Sequence, residues 1–165
     1  MKAIKEIIEL LENDATIPPE DIARMLKMTV KAVKDTIKKL EKDGIILKYK
    51  TVINKELLRE EGSEGVRALI EVKVTPQRSV GFDHIAERIY QFPEVKSCYL
   101  MSGTYDLLVM IEGKSLHTVA NFVSEKLSTM ENIRGTVTHF ILKKYKEDGD
   151  ILRQAEMSKR PAISL

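Results

Sequence analysis

Apolar residues near the start of this 165-residue chain recur in three stripes at helical spacing. Within each stripe the members are mostly three or four positions apart, which places them on one face of a helix. The stripes are Ile4, Ile7, Ile8 and Leu11; Ile22, Met25 and Leu26; and Val33, Ile37 and Leu40. They predict three short amphipathic helices that pack into a compact module of about 45 residues.

The residues that flank these stripes predict where the helices begin and end. The first helix covers roughly residues 2–13. Pro18 and Pro19 suit the first turn of the second helix, where a missing N–H removes no hydrogen bond. Thr29 is a favourable N-cap for the third helix, and Gly44 is favourable just past its C-terminus. A short helix, a three-residue turn and a second helix match a helix-turn-helix, whose second helix enters the major groove of DNA.

After residue 44 the pattern changes from helical spacing to β-branched and alternating residues. Residues 45–53 predict a strand, and the polar residues 54–65, which contain two glycines, predict a linker. A β-α-β-β-α-β order follows, with strands at 66–75, 95–102, 106–112 and 133–144 and helices at 82–89 and 116–127. Two βαβ halves in this order build a ferredoxin-like sheet with both helices on one face.

The face of this sheet that carries no helices is expected to be only partly polar. Two sets of residues alternate along its first strand: Leu69, Glu71 and Lys73 on one side, and Ile70, Val72 and Val74 on the other. Contiguous apolar surface marks sites of protein association. We therefore expect the open face to pack against a second copy of the chain.

The sequence thus predicts an α+β protein with an N-terminal helix-turn-helix (winged-helix-like) domain and a C-terminal ferredoxin-like domain. We assign the first domain to residues 1–46, a strand-bearing linker to 47–65, and the βαββαβ domain to 66–146. The polar tail, residues 147–165, contains a late Pro161. It is interpreted either as a loose tail or as a short helix that contacts a partner.

Positive charge is concentrated in one short part of the chain. The formal net charge is only +2, yet residues 27–50 contain eight lysines and three acidic residues, a local charge of +5. From residue 51 onward, sixteen basic residues balance sixteen acidic ones. A local basic stripe is what contact with phosphates requires. The alternative is a solvated helix face, which lysine-rich helices often have.

The predicted third helix supplies the candidate residues for binding double-stranded DNA. Its N-terminal end reaches base edges in such motifs, and the lysines further along are suited to phosphates. The candidates are Thr29, Lys31 and Ala32 for base edges and Lys34, Lys38 and Lys39 for phosphates. Because this helix has no arginine, we expect broad, salt-sensitive binding with modest direct readout of sequence.

A second candidate site lies where a short turn enters an apolar strand. Gly103 permits a tight turn and a close approach of backbone. Asp106 then opens a strand made of leucine, valine, methionine and isoleucine, so its carboxylate has to be solvated or paired. Two uses fit: a cap that stabilises the turn, or an acceptor for the ammonium group of an amino acid.

In their order and spacing these motifs resemble the Lrp/AsnC family, the leucine-responsive or feast/famine regulators. The resemblance covers roughly residues 2–146. It rests on Lys38-Lys39-Leu40-Glu41-Lys42-Asp43-Gly44-Ile45-Ile46, on Gly103-Thr104-Tyr105-Asp106-Leu107-Leu108-Val109, and on Thr136-Val137-Thr138. It implies a transcriptional regulator in which a helix-turn-helix is joined to a βαββαβ effector domain. It also implies homodimers that assemble into octamer-like particles.

The resemblance further implies a small amino-acid effector, bound between dimers near the hairpin. The implied effector residues are Gly103, Tyr105, Asp106, Thr136 and Thr138. The two threonines are expected to offer hydroxyls from a strand adjacent to the hairpin.

Several positions depart from the family pattern, and Asp35 adds a negative charge to the predicted third helix. The usual glycine between the two DNA-binding helices is Lys27, so the turn has to hold a lysine, with positive φ expected. The frequent arginine before Ile37 is Thr36, and the first acidic residue of the hairpin motif is Thr104.

Catalytic and cofactor-binding patterns are not visible in the sequence. His84, His117 and His139 are far apart, and Cys98 has no evident base. No glycine-rich phosphate loop or nucleophile elbow occurs. We therefore expect no enzyme activity, cofactor or metal. Two alternatives stay open: a metabolite sensor of the same fold with weak or no DNA binding, and an enzyme similar to haem-pathway decarboxylases, whose two-domain architecture the chain also resembles.

The sequence also favours a compartment. No apolar run approaches the ~20 residues that a membrane span needs, so no membrane partner is expected. The N-terminus turns acidic at Glu6, too early for a secretory signal. A single cysteine, Cys98, cannot form an internal disulfide, and this favours a reducing cytoplasm.

Overall fold

The fold consists of two compact units, Met1–Ile53 and Asn54–Leu165. The structure, a computed structural model, describes residues 2–54, 65–76 and 81–152. Within those residues, no helix combines the length and apolar character that a membrane crossing needs.

The N-terminal unit is a three-helix module, as predicted. Its helices are α1 (Lys2–Asn13), α2 (Pro19–Leu26) and α3 (Val30–Lys42). The buried core of this cluster is formed by Ile7, Ile22, Ala23 and Val33. Two predicted core positions are wrong: Ile4 is 39% exposed and Met25 is 61% exposed. Ala23 is buried instead of Met25. At about 100° per residue, Ile22, Ala23 and Leu26 lie on the side of α2 that faces the core, and Met25 lies outside that side.

The predicted caps of these helices are confirmed. The hydroxyl oxygen of Thr29 accepts a hydrogen bond from the Ala32 N–H (3.2 Å), which satisfies one of the free donors at the start of α3. Gly44, with φ +69°, follows the end of α3, and the Ile45 N–H then reaches back to the Leu40 carbonyl (2.9 Å).

The turn between α2 and α3 holds a lysine in the left-handed conformation. Lys27 has φ 53° and ψ 43°, and its N–H donates to the Ala23 carbonyl. A Cβ in this region clashes with the neighbouring backbone, so a non-glycine residue there is strained. The expected positive φ is confirmed.

Replacing Lys27 by glycine is therefore expected to stabilise the N-terminal unit by about 1 kcal/mol, because the Cβ strain disappears. Thermal and urea unfolding of the full chain measure the effect. Lys27→Ala is the matched control, since it removes the same charge and retains the Cβ. Equal stability of the two variants would show that the backbone at this turn is unstrained.

The C-terminal unit contains the predicted βαββαβ order. Its elements are β1 (Val66–Val74), α4 (Asp83–Tyr90), β2 (Val95–Leu100), β3 (Leu107–Gly113), α5 (Leu116–Asn121) and β4 (Ile133–Phe140). Helix α5 continues as a π-helix over Phe122–Leu127. The four strands form an antiparallel sheet in the order β2-β3-β1-β4.

Alternation along the strands separates a packed face from an open one. The residues that face the helices are fully buried on β1 and β3 and contact the apolar sides of α4 and α5. The buried residues include Ala68, Ile70, Val72, Val109 and Ile111 on the strands and Ile85, Ile89 and Val119 on the helices. On the opposite face, Leu69, Leu108 and Met110 are half-buried beside Glu71, while Tyr99 is exposed. The open face is therefore partly apolar, as expected.

The strand predicted over residues 45–53 is wrong for the single chain. These residues adopt no regular secondary structure, and Leu47 in their middle is 86% exposed. A strand exists only when a neighbouring backbone accepts and donates its hydrogen bonds. Among the described residues, none forms a strand ladder with residues 45–53.

The beginning of the predicted tail is neither loose nor helical. Two short strands, β5 (Lys146–Glu147) and β6 (Asp150–Ile151), pair as a hairpin. Its turn residues, Asp148 and Gly149, have φ 48° and 96°, the positive values of a tight two-residue turn. The rest of the tail, with Pro161, and residues 55–64 of the linker lie outside the described residues.

Candidate nucleic-acid interface and effector site

The outer surface of α3 carries a row of exposed lysines. Lys31, Lys38 and Lys39 are exposed, and none of them forms an ion pair with the residues that the structure describes. At about 100° per residue, Lys31 and Lys38, seven positions apart, project in almost the same direction, and Lys42 follows one turn later. The apolar side of α3, with Val33 and Leu40, is buried in the module. The lysines are therefore held facing solvent.

Lys34 differs from these lysines because it is paired. Its Nζ lies 2.8 Å from Oε1 of Glu20, in the first turn of α2. The hydrogen bond from Lys34 is the main cause that lowers the pKa of Glu20 below its usual value. Glu20 is absent from the sequence-based candidates. Fourteen residues separate the two partners, so no helical spacing in the sequence connects them.

The N-terminal end of α3 presents few free polar groups. The Thr29 oxygen already accepts from Ala32, so its hydroxyl hydrogen is the group left for an external acceptor. Ala32 is half-buried and offers a methyl group. Thr36, where the family often has arginine, donates its hydroxyl to the Ala32 carbonyl (2.7 Å). These contacts agree with the expectation of modest base readout.

The segment after α3 is tied back to it by one side chain. Tyr49 donates its hydroxyl to Oε1 of Glu41 (2.9 Å). Burial, followed by the neighbouring Glu41 carboxylate, raises the pKa of Tyr49. Residues 45–53 therefore stay close to the C-terminal end of α3 although they form no strand.

The hairpin site contains a carboxylate that is already used by the fold. Asp106 Oδ2 accepts from the Val74 N–H (2.7 Å), and the Asp106 N–H donates to the Val72 carbonyl (3.1 Å). These bonds lie just past the last paired residues of β1 and β3. The carboxylate thus caps the end of β1 and does not cap the predicted turn before Asp106, and Oδ1 of Asp106 has no hydrogen-bond partner in the described part of the chain.

Gly103 does not need to be glycine within the chain itself. Its φ lies outside the left-handed region, and a Cβ added there would meet no atom within 4 Å. The predicted turn is present, since the chain reverses here between β2 and β3 and the Met101 N–H donates to the Asp106 carbonyl (2.8 Å), but no close backbone approach to Gly103 is found among the described residues. Tyr105, beside Asp106, is half-buried.

Thr136 and Thr138 do not lie on a strand adjacent to the hairpin, and that expectation is wrong. They belong to β4, and β1 lies between β4 and β3. Val72 pairs with Leu107 on one side and with Thr136 on the other. Asp106 and Thr136 are therefore at the same end of the sheet but about 10 Å apart, two strand spacings. Both threonines are half-buried.

Titratable clusters suited to metal binding are not found among the described residues. Cys98 is half-buried, and burial raises the pKa of its thiol. His139 lies on the outer edge of the open sheet face, 3.0 Å from Oε1 of Glu71.

Two family models match the chain along most of its length. A winged helix-turn-helix DNA-binding model matches residues 2–46, and a model of the Lrp/AsnC ligand binding domain matches residues 67–151. The chain belongs to the Lrp/AsnC family. The resemblance read from the motifs is confirmed, and this Lrp/AsnC protein is a helix-turn-helix transcriptional regulator with a ligand-binding domain. The second match includes the β5–β6 hairpin.

Known relatives agree with this assignment. YugG of Bacillus subtilis, an uncharacterized HTH-type transcriptional regulator, is 50% identical over 159 residues, which cover 96% of this chain and 95% of YugG. FL11 of Pyrococcus furiosus, also an HTH-type transcriptional regulator, is 29% identical over 89% of this chain and 92% of its own length. These names are those of regulators and argue against an enzyme.

Solved structures share the fold. The transcriptional regulator NMB0573 of Neisseria meningitidis, solved as an L-Met complex, has a TM-score of 0.68 and is 20% identical. The match covers 89% of this chain and 92% of that one. The expected fold class is confirmed.

Proposed function

We propose that this Lrp/AsnC protein works in the cytoplasm as a homo-oligomer that binds double-stranded DNA through α3. In this proposal a small amino acid bound at the ligand-binding domain changes the assembly or its affinity for DNA. The observation that carries it is the row of exposed, unpaired lysines on α3, held outward by a buried apolar side.

On the DNA side, the lysines supply affinity more than specificity. Lys31, Lys38 and Lys39 neutralise phosphates, and the Thr29 hydroxyl and Ala32 methyl lie where base edges come closest. Lysine is a flexible point charge that does not impose the bidentate geometry of arginine. A single protomer therefore binds broadly and weakly, and occupancy depends on several protomers binding together.

On the assembly side, two surfaces support association between copies. The open sheet face is partly apolar, and residues 45–53 expose the apolar side chains of Ile45, Leu47 and Ile53 and form no strand ladder with the described part of the chain. Such a segment pairs readily with another backbone. We place the dimer contact on these two surfaces, with higher oligomers up to an octamer built from dimers.

On the effector side, the Asp106 carboxylate supports binding of an ammonium group. One oxygen caps Val74, and the other remains available as an acceptor beside Tyr105. The L-Met complex of NMB0573 supports a small amino acid as the ligand class. If the effector changes DNA affinity by some factor, DNA has to change effector affinity by the same factor.

The experiment that tests this function is a selection of genomic fragments by the purified protein, with and without pooled amino acids. We expect retained fragments, a sedimentation mass of a dimer or larger, and a change in retention or mass with at least one amino acid. A monomer that retains no fragment at low salt would contradict the DNA-binding proposal. Amino-acid binding without any retention would instead support the metabolite-sensor alternative.

A further inference from the structure

Glu20 and Lys34 form an ion pair that joins α2 to α3. Among the described residues of the three N-terminal helices, it is the only ion pair between two different helices. Lys34 Nζ and Glu20 Oε1 are 2.8 Å apart, and their side chains are 51% and 52% exposed. A pair this exposed contributes little to folding stability. The main effect of the pair is therefore to fix where these two charges lie on the surface.

The pair lies at the edge of the lysine row. Lys34 is three residues after Lys31 and four before Lys38, so the three side chains are neighbours on α3. The hydrogen bond from Lys34 lowers the pKa of Glu20, so this carboxylate is ionised at neutral pH. A negative charge there occupies the Lys34 ammonium and repels phosphates that approach the row.

We propose that Glu20 sets the DNA affinity of each protomer by withholding Lys34 from the phosphate backbone. The inference rests on the proposed binding of DNA through α3. It follows that Lys34 contributes less to binding than its neighbours, although the sequence alone treats these lysines as equivalent. Weak individual protomers make binding depend on the number of protomers in the assembly.

The test uses the full chain and a mixed-sequence duplex at low salt, because phosphate contacts do not require a specific operator. Glu20→Gln keeps the side-chain size and frees Lys34. We expect binding to tighten about tenfold per bound protomer, and the slope of log affinity against log salt to steepen by about 1. Lys34→Gln leaves the Glu20 charge uncompensated and is expected to weaken binding by less than Lys38→Gln, which weakens it about tenfold.

A double variant, Glu20→Gln with Lys34→Gln, separates release of Lys34 from loss of a negative charge. Measured against Lys34→Gln, the gain from Glu20→Gln has to be clearly smaller than in the wild-type chain, because only the loss of a repulsive charge remains. The inference is wrong if the double variant shows the full gain, or if Glu20→Gln binds the duplex with wild-type affinity. Either result leaves the proposed DNA binding intact. If the wild-type chain retains no duplex at all, the proposed function and this inference fail together. Unchanged melting temperature and sedimentation mass confirm that the variants remain comparable.

Discussion

Replacing Lys31 and Lys38 together by glutamate is expected to abolish duplex binding in a chain that stays folded. Both side chains are exposed, and neither forms an ion pair within the described residues, so the fold does not depend on them. In the proposed dimer, four attractive phosphate contacts would be lost and four repulsive ones gained. We expect a loss on the order of a thousandfold at moderate salt. Fluorescence anisotropy with a labelled duplex measures it.

Lys34 is left unchanged in this test because of its partner. A glutamate at position 34 would also break the ion pair with Glu20 and repel that carboxylate, so its effect on DNA binding would be mixed with the loss of this pair. The matched control is Lys5→Glu with Lys114→Glu, which changes the net charge equally at exposed positions outside α3. This control is expected to bind the duplex nearly as well as the wild type. Full binding by Lys31→Glu with Lys38→Glu at low salt would exclude α3 as the DNA-binding surface.

At the hairpin, Asp106→Asn is expected to separate the structural role of this residue from its role in ligand binding. The asparagine side-chain oxygen still accepts from the Val74 N–H, so the melting temperature should hardly change. The negative charge that binds an ammonium group is lost. We expect amino-acid affinity to fall about a hundredfold, the value of a hydrogen bond between charged groups. Titration calorimetry against the twenty amino acids measures it.

Asp106→Ala is the companion variant, because it removes the acceptor as well as the charge. The N–H of Val74, a buried residue, then loses its partner, at a cost of about 1–3 kcal/mol in the free energy of unfolding. If Asp106→Asn binds an amino acid as tightly as the wild type, the carboxylate serves only as a cap. The same conclusion, that the carboxylate serves only as a cap, would follow if the wild-type chain bound none of the twenty amino acids.

Much of this fold could be predicted because local rules decide it. Thr29 and Gly44 act as caps through bonds to residues three or four positions away, and Lys27 has positive φ because a short turn requires it. Asp148-Gly149 is an equally local signal, a strong one for a hairpin, and it was missed inside a stretch interpreted as a polar tail.

The candidate sites could be predicted only in part, because each of them depends on long-range packing. A lysine on α3 is free or paired depending on how α2 is placed against it, and only the structure distinguishes Lys34 from Lys38. The family pattern suggests close approach at Gly103 and strand pairing for residues 45–53, yet among the described residues no atom lies near a Cβ at Gly103 and no strand pairs with residues 45–53.

The sequence by itself determined the three N-terminal helices, the βαββαβ order, the basic surface of α3 and the family. Periodicity and capping act over a few residues, and the chain carries them directly. The tertiary structure alone decided that Glu20 holds Lys34, that β1 separates Asp106 from Thr136, and that Ala23 rather than Met25 is buried. These outcomes depend on contacts between elements far apart in the chain, which follow from the packing of the whole unit.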